Sequence, residues 1–258
     1  MELEHSKIGR YEFLAEPFHC DFSNRLLMGH LGNHLLNAAD FHSNDRGFGM
    51  HYLNTINKTW VLSRLAIEME QMPVAYDRFA VETWVESAKR YFTRRNFMVQ
   101  DTKTGQVYGY GRSIWAMIDT ETRQPVNLLD VRDGLLEDYV EEDKPCPIDR
   151  ESRVKMSNEA QPVGSVIARY NDIDINGHVN SVKYIEHVLD LFPMEYYRDK
   201  RLLRFEIAYV AEAHYGDELR FYCETDDSLT YRVRITRSNA ELPEEVETCR
   251  CMLRFTDR

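Results

Sequence analysis

The sequence predicts an α+β protein in which one plan, a single long helix lying against an antiparallel β-sheet, occurs twice along the chain. The first observation behind this prediction is the order of periodicities. In each half, apolar residues at helical spacing precede several segments in which apolar residues alternate. The second observation is the stretch between the halves, residues 127–162, which carries prolines and an acidic run but little periodicity. Such a stretch is typical of a connection between two units.

The first half begins with an irregular strand at residues 11–22. Gly29 and His30 then lead into apolar residues at helical spacing, which predict one helix of about four turns that ends near residues 46–49. After this helix the period changes to two. The alternation predicts four strands, at residues 59–69, 79–85, 92–100 and 107–118. The first half is therefore one helix followed by an antiparallel meander.

The second half has the same order of elements. A strand at residues 165–170 precedes a helix at residues 179–191. Four strands follow, at residues 203–213, 218–224, 230–236 and 247–255. The predicted domains are an N-terminal unit at residues 1–128, a linker at residues 129–162 and a C-terminal unit at residues 163–258.

One helix lying along a strongly bent antiparallel sheet suggests the hotdog fold, so the predicted fold class is α+β with a tandem, or double, hotdog. A single hotdog exposes an apolar sheet edge and helix flank, and hotdogs therefore pair. Two fused copies would form this pair within one chain. Whether two such chains assemble further, into a homodimer, is left open by the sequence.

The composition argues against several classes of protein. A net charge of -11 at pH 7 disfavours a nucleic-acid-binding protein, which needs a basic face over the phosphates. The five cysteines form an odd set without a CxxC pair, which is typical of reduced thiols in the cytoplasm rather than of disulfides or a cysteine zinc site. The sequence contains neither a signal-like apolar run nor an apolar stretch long enough to span a membrane. The predicted localisation is therefore cytoplasmic.

Residues 172–192 combine polar side chains with the start of a helix. Asp174, Asn176 and His178 occupy alternate positions, and the apolar residues after them have helical spacing. The first turn of a helix carries unpaired backbone N–H groups and the positive end of the helix dipole, so it can stabilise an oxyanion. A carboxylate, a carboxamide and an imidazole at such a turn indicate acyl-transfer chemistry. A structural role is the alternative, because Asn-Gly pairs form turns and Asp and Asn cap helices.

The two halves can be aligned on their Gly-His pairs. Gly29-His30 matches Gly177-His178 at a separation of 148 residues. This alignment pairs His178 with His30, Asp174 with Leu26, and Asn176 with Met28. Both helices need a cap, whereas a reaction centre is needed only once, so the alignment predicts chemistry in the second half. For the matching stretch of the first half it predicts an apolar role in binding a chain.

A second acidic group is expected from the strand that follows the second helix. Glu212 is flanked by the small apolar residues Ala211 and Ala213, and its equivalent in the first half is Met72. Burial there would raise the pKa of the Glu212 carboxyl group or force it to pair, and either suits a general base that holds a water molecule. The alternative is an exposed glutamate on an edge strand. The neighbouring polar residues are expected to be solvated or structural: Glu206, Asp217, Glu218, His187 and His214.

Residues 174–185, Asp-Ile-Asn-Gly-His-Val-Asn-Ser-Val-Lys-Tyr-Ile, resemble the signature of the acyl-acyl carrier protein (acyl-ACP) thioesterases, the tandem-hotdog enzymes of plant plastids and of bacteria. Residues 209–213, Tyr-Val-Ala-Glu-Ala, resemble the second motif of that family, and residues 60–64 and 119–123 resemble further family stretches. The resemblance covers residues 11–255. It implies hydrolysis of fatty acyl-ACP to free fatty acid and holo-carrier protein.

The resemblance also implies a site and its partners. It carries catalytic roles onto Asp174, Asn176, His178 and Glu212. The implied partners are acyl carrier protein and a fatty acyl chain, and no cofactor or metal is expected because the substrate brings its own phosphopantetheine. One position departs from the plant enzymes, since Ala213 stands where they have a cysteine that was once proposed as the nucleophile. Attack by water is therefore the predicted mechanism, and which carboxylate accepts the proton is left open.

Charge constrains how a carrier protein could dock. The carrier is acidic and so is this chain, so docking requires a local basic cluster. Two clusters are candidates, Lys89-Arg90 with Arg94-Arg95 and Lys200-Arg201 with Arg204.

Two other functions remain open on the sequence. An acyl-coenzyme A thioesterase would perform the same chemistry on a different carrier of the acyl chain. A non-catalytic acyl-binding hotdog module would not need the polar residues at 174–178. A hotdog dehydratase is disfavoured, because the helix lacks a Gly-His-Phe-Pro start.

Overall fold

The structure, a computed structural model, describes residues 3–157, 159–242 and 244–258. The chain divides into two compact units, Met1–Arg150 and Glu151–Arg258. Among the described residues, each unit contains five antiparallel strands and a helix that follows its first strand. This is the duplicated α+β plan that the periodicities predict. Within the described ranges, no helix has the length and apolar character needed to cross a membrane.

In the first unit the main helix lies between the first and second strands along the chain. The elements are β1 (Gly9–Leu14), α1 (Met28–Asp45), α2 (Met50–Leu53), β2 (Lys58–Met69), β3 (Arg78–Lys89), β4 (Phe92–Asp101), β5 (Val107–Asp119) and α3 (Leu135–Asp138). The strands lie in the order β1-β3-β4-β5-β2, and every neighbouring pair is antiparallel. Helix α1 packs against β1 and β3.

Helix α1 buries the apolar face that its spacing predicts. The buried residues of this face include Leu31, Leu35, Ala38 and Ala39. Each fully buried leucine contributes about 1.5–3 kcal/mol to stability through burial. The helix spans 18 residues and begins at Met28, so Gly29 and His30 lie inside its first turn rather than before it. It ends before Gly47, whose φ of +78° is a left-handed conformation that favours glycine.

The segment after β5, which the sequence suggested as a linker, contributes to the core of the first unit. A 3-10 segment, Leu128–Gly134, leads into α3. These two elements bury Leu128, Val131 and Leu136, and Tyr139, which follows α3, is buried beside them. These side chains pack in one cluster with Phe48 and Leu53. The alternation of buried and polar residues is irregular here, which explains why periodicity did not reveal the packing.

The second unit repeats the arrangement of the first. Its elements are β6 (Gln161–Ile167), α4 (Ser181–Leu189), α5 (Met194–Asp199), β7 (Lys200–Tyr209), β8 (Glu218–Thr225), β9 (Thr230–Ser238) and β10 (Val246–Asp257). The strands lie in the order β6-β8-β9-β10-β7, so the first, third, fourth, fifth and second strands follow one another in both units. The shared order is independent of sequence identity and establishes the duplication.

Candidate active site

The loops that enter α1 and α4 have the same backbone hydrogen bonds. In the first loop the N–H of Asp21 donates to the carbonyl of Arg25 at 2.8 Å, and in the second the N–H of Asp174 donates to the carbonyl of His178 at 2.8 Å. Single antiparallel bridges close the two loops at matching places, Cys20 with Leu26 and Ile173 with Val179. Equivalent residues of these loops are therefore 153 positions apart.

The alignment on the Gly-His pairs is consequently wrong. In the structure the equivalent positions of the two units are Asp174 and Asp21, Asn176 and Ser23, His178 and Arg25, and Asn180 and Leu27. The Gly-His match is a coincidence, because Gly29-His30 lies inside its helix whereas Gly177-His178 precedes one. The predicted equivalence of Met72 and Glu212 agrees with the bonds beside them. The N–H of Leu26 donates to Pro73, and the N–H of Val179 donates to Ala213.

Asp174 and Asp21 perform the same structural task. The Oδ1 atom of Asp174 accepts the backbone N–H groups of Asn176 at 2.8 Å and His178 at 3.2 Å. The Oδ1 atom of Asp21 accepts those of Ser23 at 2.7 Å and Arg25 at 3.1 Å. Such side-chain bonds to the following backbone hold a turn in place. Asp174 thus fixes the backbone of His178, and this function is needed in both units.

Among the side chains that differ between the two units at this entrance are His178, in the loop, and Glu212, which follows β7. Their Nε2 and Oε2 atoms lie 3.3 Å apart. The corresponding positions of the first unit hold Arg25 and Met72. Glu212 is thus paired with His178, and a partner for its carboxyl group was one of the two alternatives expected from the sequence. The side chain of Glu212 is 37% exposed and that of His178 is 25% exposed. Both groups therefore remain accessible to a water molecule.

Two further contacts bring the helix entrance to the end of β7. The hydroxyl group of Tyr209 donates to the carbonyl of Ser181, the first residue of α4, at 2.8 Å. Burial raises the pKa of Tyr209 well above its usual range, so the hydroxyl remains a neutral donor. Asn180, which received no separate role from the sequence, caps α4 by accepting the N–H of Val182 at 3.0 Å. The predicted helix, at residues 179–191, began before Asn180, so it did not identify this residue as the cap.

The remaining polar residues occupy two kinds of environment. Asn176 is exposed, and its backbone N–H is held by Asp174. Glu206 and Asp217, which were expected to be solvated, are buried. Glu206 pairs with Arg204 at 2.7 Å. Asp217 accepts the Nδ2 of Asn239 at 2.6 Å and pairs with Arg237 at 3.2 Å. The prediction failed for Asp217 because its partners lie 20 and 22 residues away, and for Glu206 because β7 buries the face that it shares with Arg204.

Burial reduces the number of basic side chains that the two candidate docking clusters can present to a carrier protein. Arg95 in the first cluster and Arg204 in the second are buried, so neither guanidinium lies on a docking surface. Lys200 in the second cluster pairs with Asp257. Lys89 and Arg90 in the first cluster are exposed.

Two units of one helix-and-sheet plan in a single chain define a tandem hotdog protein. Residues 10–137 match the model of the acyl-ACP thioesterase N-terminal domain, and residues 156–251 match that of the C-terminal domain. The chain therefore belongs to the acyl-ACP thioesterase family. The predicted family and fold class are both confirmed.

Similar proteins of known sequence or structure are named as members of the same family. A crystal structure of an acyl-ACP thioesterase from Bacteroides thetaiotaomicron is 52% identical, has a TM-score of 0.89, and covers 97% of this chain and 98% of that one. The 12:0-ACP thioesterase of Umbellularia californica has a TM-score of 0.85 over 98% of this chain and 99% of that one, and at 20% identity it supports the fold alone. The chloroplast palmitoyl-acyl carrier protein thioesterase of Cuphea hookeriana is 29% identical over 72% of this chain. The chain spans about half the length of that curated relative, 46%.

Proposed function

We propose that this protein hydrolyses fatty acyl-ACP to a free fatty acid and holo-carrier protein by attack of water on the thioester. The observation that carries the proposal is the 3.3 Å pair of His178 and Glu212 at the entrance of α4, whose equivalent positions in the first unit hold Arg25 and Met72. Membership of the acyl-ACP thioesterase family supports the carrier-bound substrate.

In the proposed mechanism Glu212 holds a water molecule and accepts its proton as the water oxygen bonds to the thioester carbon. Asp174 is less suited to this task, because its Oδ1 already accepts two backbone N–H groups. When the C–S bond breaks, the phosphopantetheine thiolate leaves and can take the proton from the carboxyl group of Glu212. His178 and the carboxamide of Asn176 are the proposed donors to the carbonyl oxygen, on which negative charge develops. Asp174 acts as a positioning residue through the backbone of His178.

The first unit is proposed to receive the acyl chain. With the corrected alignment, this proposal rests on Leu27 and Met72, which occupy the positions of Asn180 and Glu212. Apolar side chains at the equivalent of a polar site suit a hydrocarbon better than a reacting group. Binding of the chain requires no cofactor beyond the phosphopantetheine that the substrate carries.

Localisation and assembly stay predictions. All five cysteines are free thiols, which agrees with a reducing compartment such as the cytoplasm. Assembly of two chains into a homodimer can be tested by analytical ultracentrifugation.

The proposed substrate can be tested with matched acyl donors. A panel of chains that differ in length and saturation is offered on acyl carrier protein and on coenzyme A, and released fatty acid and thiol are measured. We expect kcat/KM to be higher by about tenfold or more on the carrier protein, because docking of the carrier adds binding energy to the transition state. Equal or faster hydrolysis of the coenzyme A esters would favour an acyl-CoA thioesterase. Binding of the chain without release of thiol would favour an acyl-binding module.

A further inference from the structure

A third side chain lies beside the pair of His178 and Glu212. One ligating atom each from His178, Glu212 and His214 lies within 4.8 Å of the others. We propose that these three residues form a site for a zinc-class divalent cation, and that the bound cation inhibits hydrolysis. The inhibition rests on the proposed function, whereas binding of the cation does not.

The separation within the pair already fits a tetrahedral ion. Two ligands that each lie about 2.0–2.1 Å from a tetrahedral zinc ion are about 3.3 Å from one another. The Nε2 of His178 and the Oε2 of Glu212 are 3.3 Å apart. The third ligand must move closer, and His214 can do so because its side chain is 50% exposed and its ring can rotate into the site.

The backbone keeps the two imidazoles together. His178 and His214 form an antiparallel bridge, and the next residue, Val179, donates its N–H to the carbonyl of Ala213 at 2.7 Å. The two rings meet edge to face with their centroids 5.1 Å apart. Residues 36 positions apart in the sequence are thus held together by backbone hydrogen bonds. Binding of the ion therefore does not carry the free-energy cost of bringing these two segments together.

A buried carboxylate supports His214 from behind. The backbone N–H of His214 donates to the Oδ2 of Asp217 at 2.9 Å, and the Nδ1 of its ring lies 3.9 Å from the same oxygen. Asn239 and Arg237 contact the same carboxylate, at 2.6 Å and 3.2 Å. The backbone hydrogen bond fixes the main chain of His214, whereas at 3.9 Å the ring forms no hydrogen bond with Asp217 and can turn towards the ion.

The ligand set determines which ions fit. Two imidazoles and one carboxylate suit zinc, cobalt, nickel and copper, whereas magnesium and calcium prefer a set of oxygen ligands. The ion would coordinate the Nε2 of His178, the proposed donor to the carbonyl oxygen, and the carboxylate of Glu212, which is proposed to hold the attacking water. Bound zinc should therefore lower turnover.

The first unit serves as an internal comparison. The bridge that corresponds to His178 with His214 joins Arg25 to Val74, and Met72 replaces Glu212. A cationic, an aliphatic and a thioether side chain do not form such a site, so we expect one ion per chain.

Cobalt and zinc titrations test the proposal on the full chain. Co²⁺ binding is followed by its visible d–d absorption and Zn²⁺ binding by calorimetry, for the wild type, His214→Ala and the control His51→Ala, which alters an exposed histidine of the first unit. We expect one site in the wild type and in His51→Ala, and binding weaker by about tenfold or more in His214→Ala, as for lost metal ligands and their supports. Thermal unfolding checks that each variant is folded, and His214→Gln replaces His214→Ala if it is not.

Zinc inhibition is measured relative to the zinc-free turnover of each variant. The zinc concentration for half inhibition should rise in His214→Ala by the same factor as the dissociation constant, and Mg²⁺ should have no such effect. The proposal is overturned if cobalt and zinc bind equally well to His214→Ala, if no ion binds, or if zinc raises turnover. If the protein releases no fatty acid from acyl-ACP, the cobalt spectrum still decides whether the site exists, so the two proposals fail separately.

Discussion

Asp21 and Asp174 occupy equivalent positions in the two units, and each accepts two backbone N–H groups with one carboxylate oxygen. This relationship separates what the loop needs for folding from what it needs for chemistry. A carboxylate retained in both loops stabilises the turn. The pair of His178 and Glu212, which the first unit replaces with Arg25 and Met72, is the difference on which the proposed chemistry depends.

Removal of either aspartate tests this division. Asp21→Ala and Asp174→Ala should each lower the free energy of unfolding by about 1 kcal/mol, since each loses hydrogen bonds to the backbone. Asp174→Ala should in addition lower turnover, because the N–H of His178 is released. Thermal unfolding and steady-state kinetics of the two variants measure these effects. Equal losses of turnover in both variants would contradict the assignment of the reaction to the second unit.

Glu212→Gln and His178→Asn should each lower kcat by about 10²–10⁴, the usual contribution of a group that transfers or directs a proton. The double variant should lose little more than the worse single variant, because the two groups act together. Glu218→Gln is the matched control, since it changes a partly exposed glutamate that pairs with Arg220. Thiol release from acyl-ACP is the measurement. Wild-type rates in both single variants would remove this pair from the mechanism.

Tyrosines at the two ends of α4 form a second matched comparison. The hydroxyl of Tyr209 donates to Ser181 at the start of the helix, and that of Tyr197 donates to Leu189 at its end, at 2.6 Å. Tyr209→Phe and Tyr197→Phe should each cost about 1 kcal/mol of stability. Turnover should fall only in Tyr209→Phe, because that bond orders the entrance beside His178. A fall in turnover of similar size in Tyr197→Phe would indicate a general effect of helix stability.

His42 should make the first unit sensitive to acid. Burial, followed by the charges of Arg95 and Arg46, lowers the pKa of His42 to about 2. The unfolded chain binds a proton at this histidine below its ordinary pKa of about 6.5, whereas the folded chain does not, so stability falls as the pH drops through that range. Between pH 7 and pH 5 the loss is about 2 kcal/mol.

Urea unfolding at the two pH values can isolate this effect. All three tryptophans, Trp60, Trp84 and Trp115, lie in the first unit, so their fluorescence reports its unfolding. The stability difference between pH 7 and pH 5 should be about 2 kcal/mol smaller in His42→Gln than in the wild type. The same difference in both proteins would show that His42 is not responsible.

Carrier docking by charge can be tested at the turn between β3 and β4. Lys89 and Arg90 are exposed there. Charge reversal of both residues should lower kcat/KM on acyl-ACP and weaken its dependence on salt, because steering between opposite charges is screened by ions. Hydrolysis of the coenzyme A ester serves as the control and should change less. An unchanged salt dependence would direct attention to another surface.

The sequence by itself determined the elements and the duplication. Periods of two and of about 3.6 depend on which face of each segment is apolar, and this information is local, so ten strands and the main helices could be predicted. Their ends were less accurate, since β1 ends at Leu14 and β7 at Tyr209, before the predicted residues 22 and 213. The motif at residues 174–185 likewise indicated where the polar side chains gather.

Tertiary structure alone decided which residues correspond and which polar groups are buried. The equivalence of Asp21 and Asp174 follows from the hydrogen bonds within each loop, whereas the Gly-His alignment rested on residue identity alone. His214 reaches His178 through a bridge, and Asp217 is buried because Asn239 and Arg237 satisfy its charge. Such contacts join segments that are far apart in the chain, and a local pattern of apolar residues does not predict them.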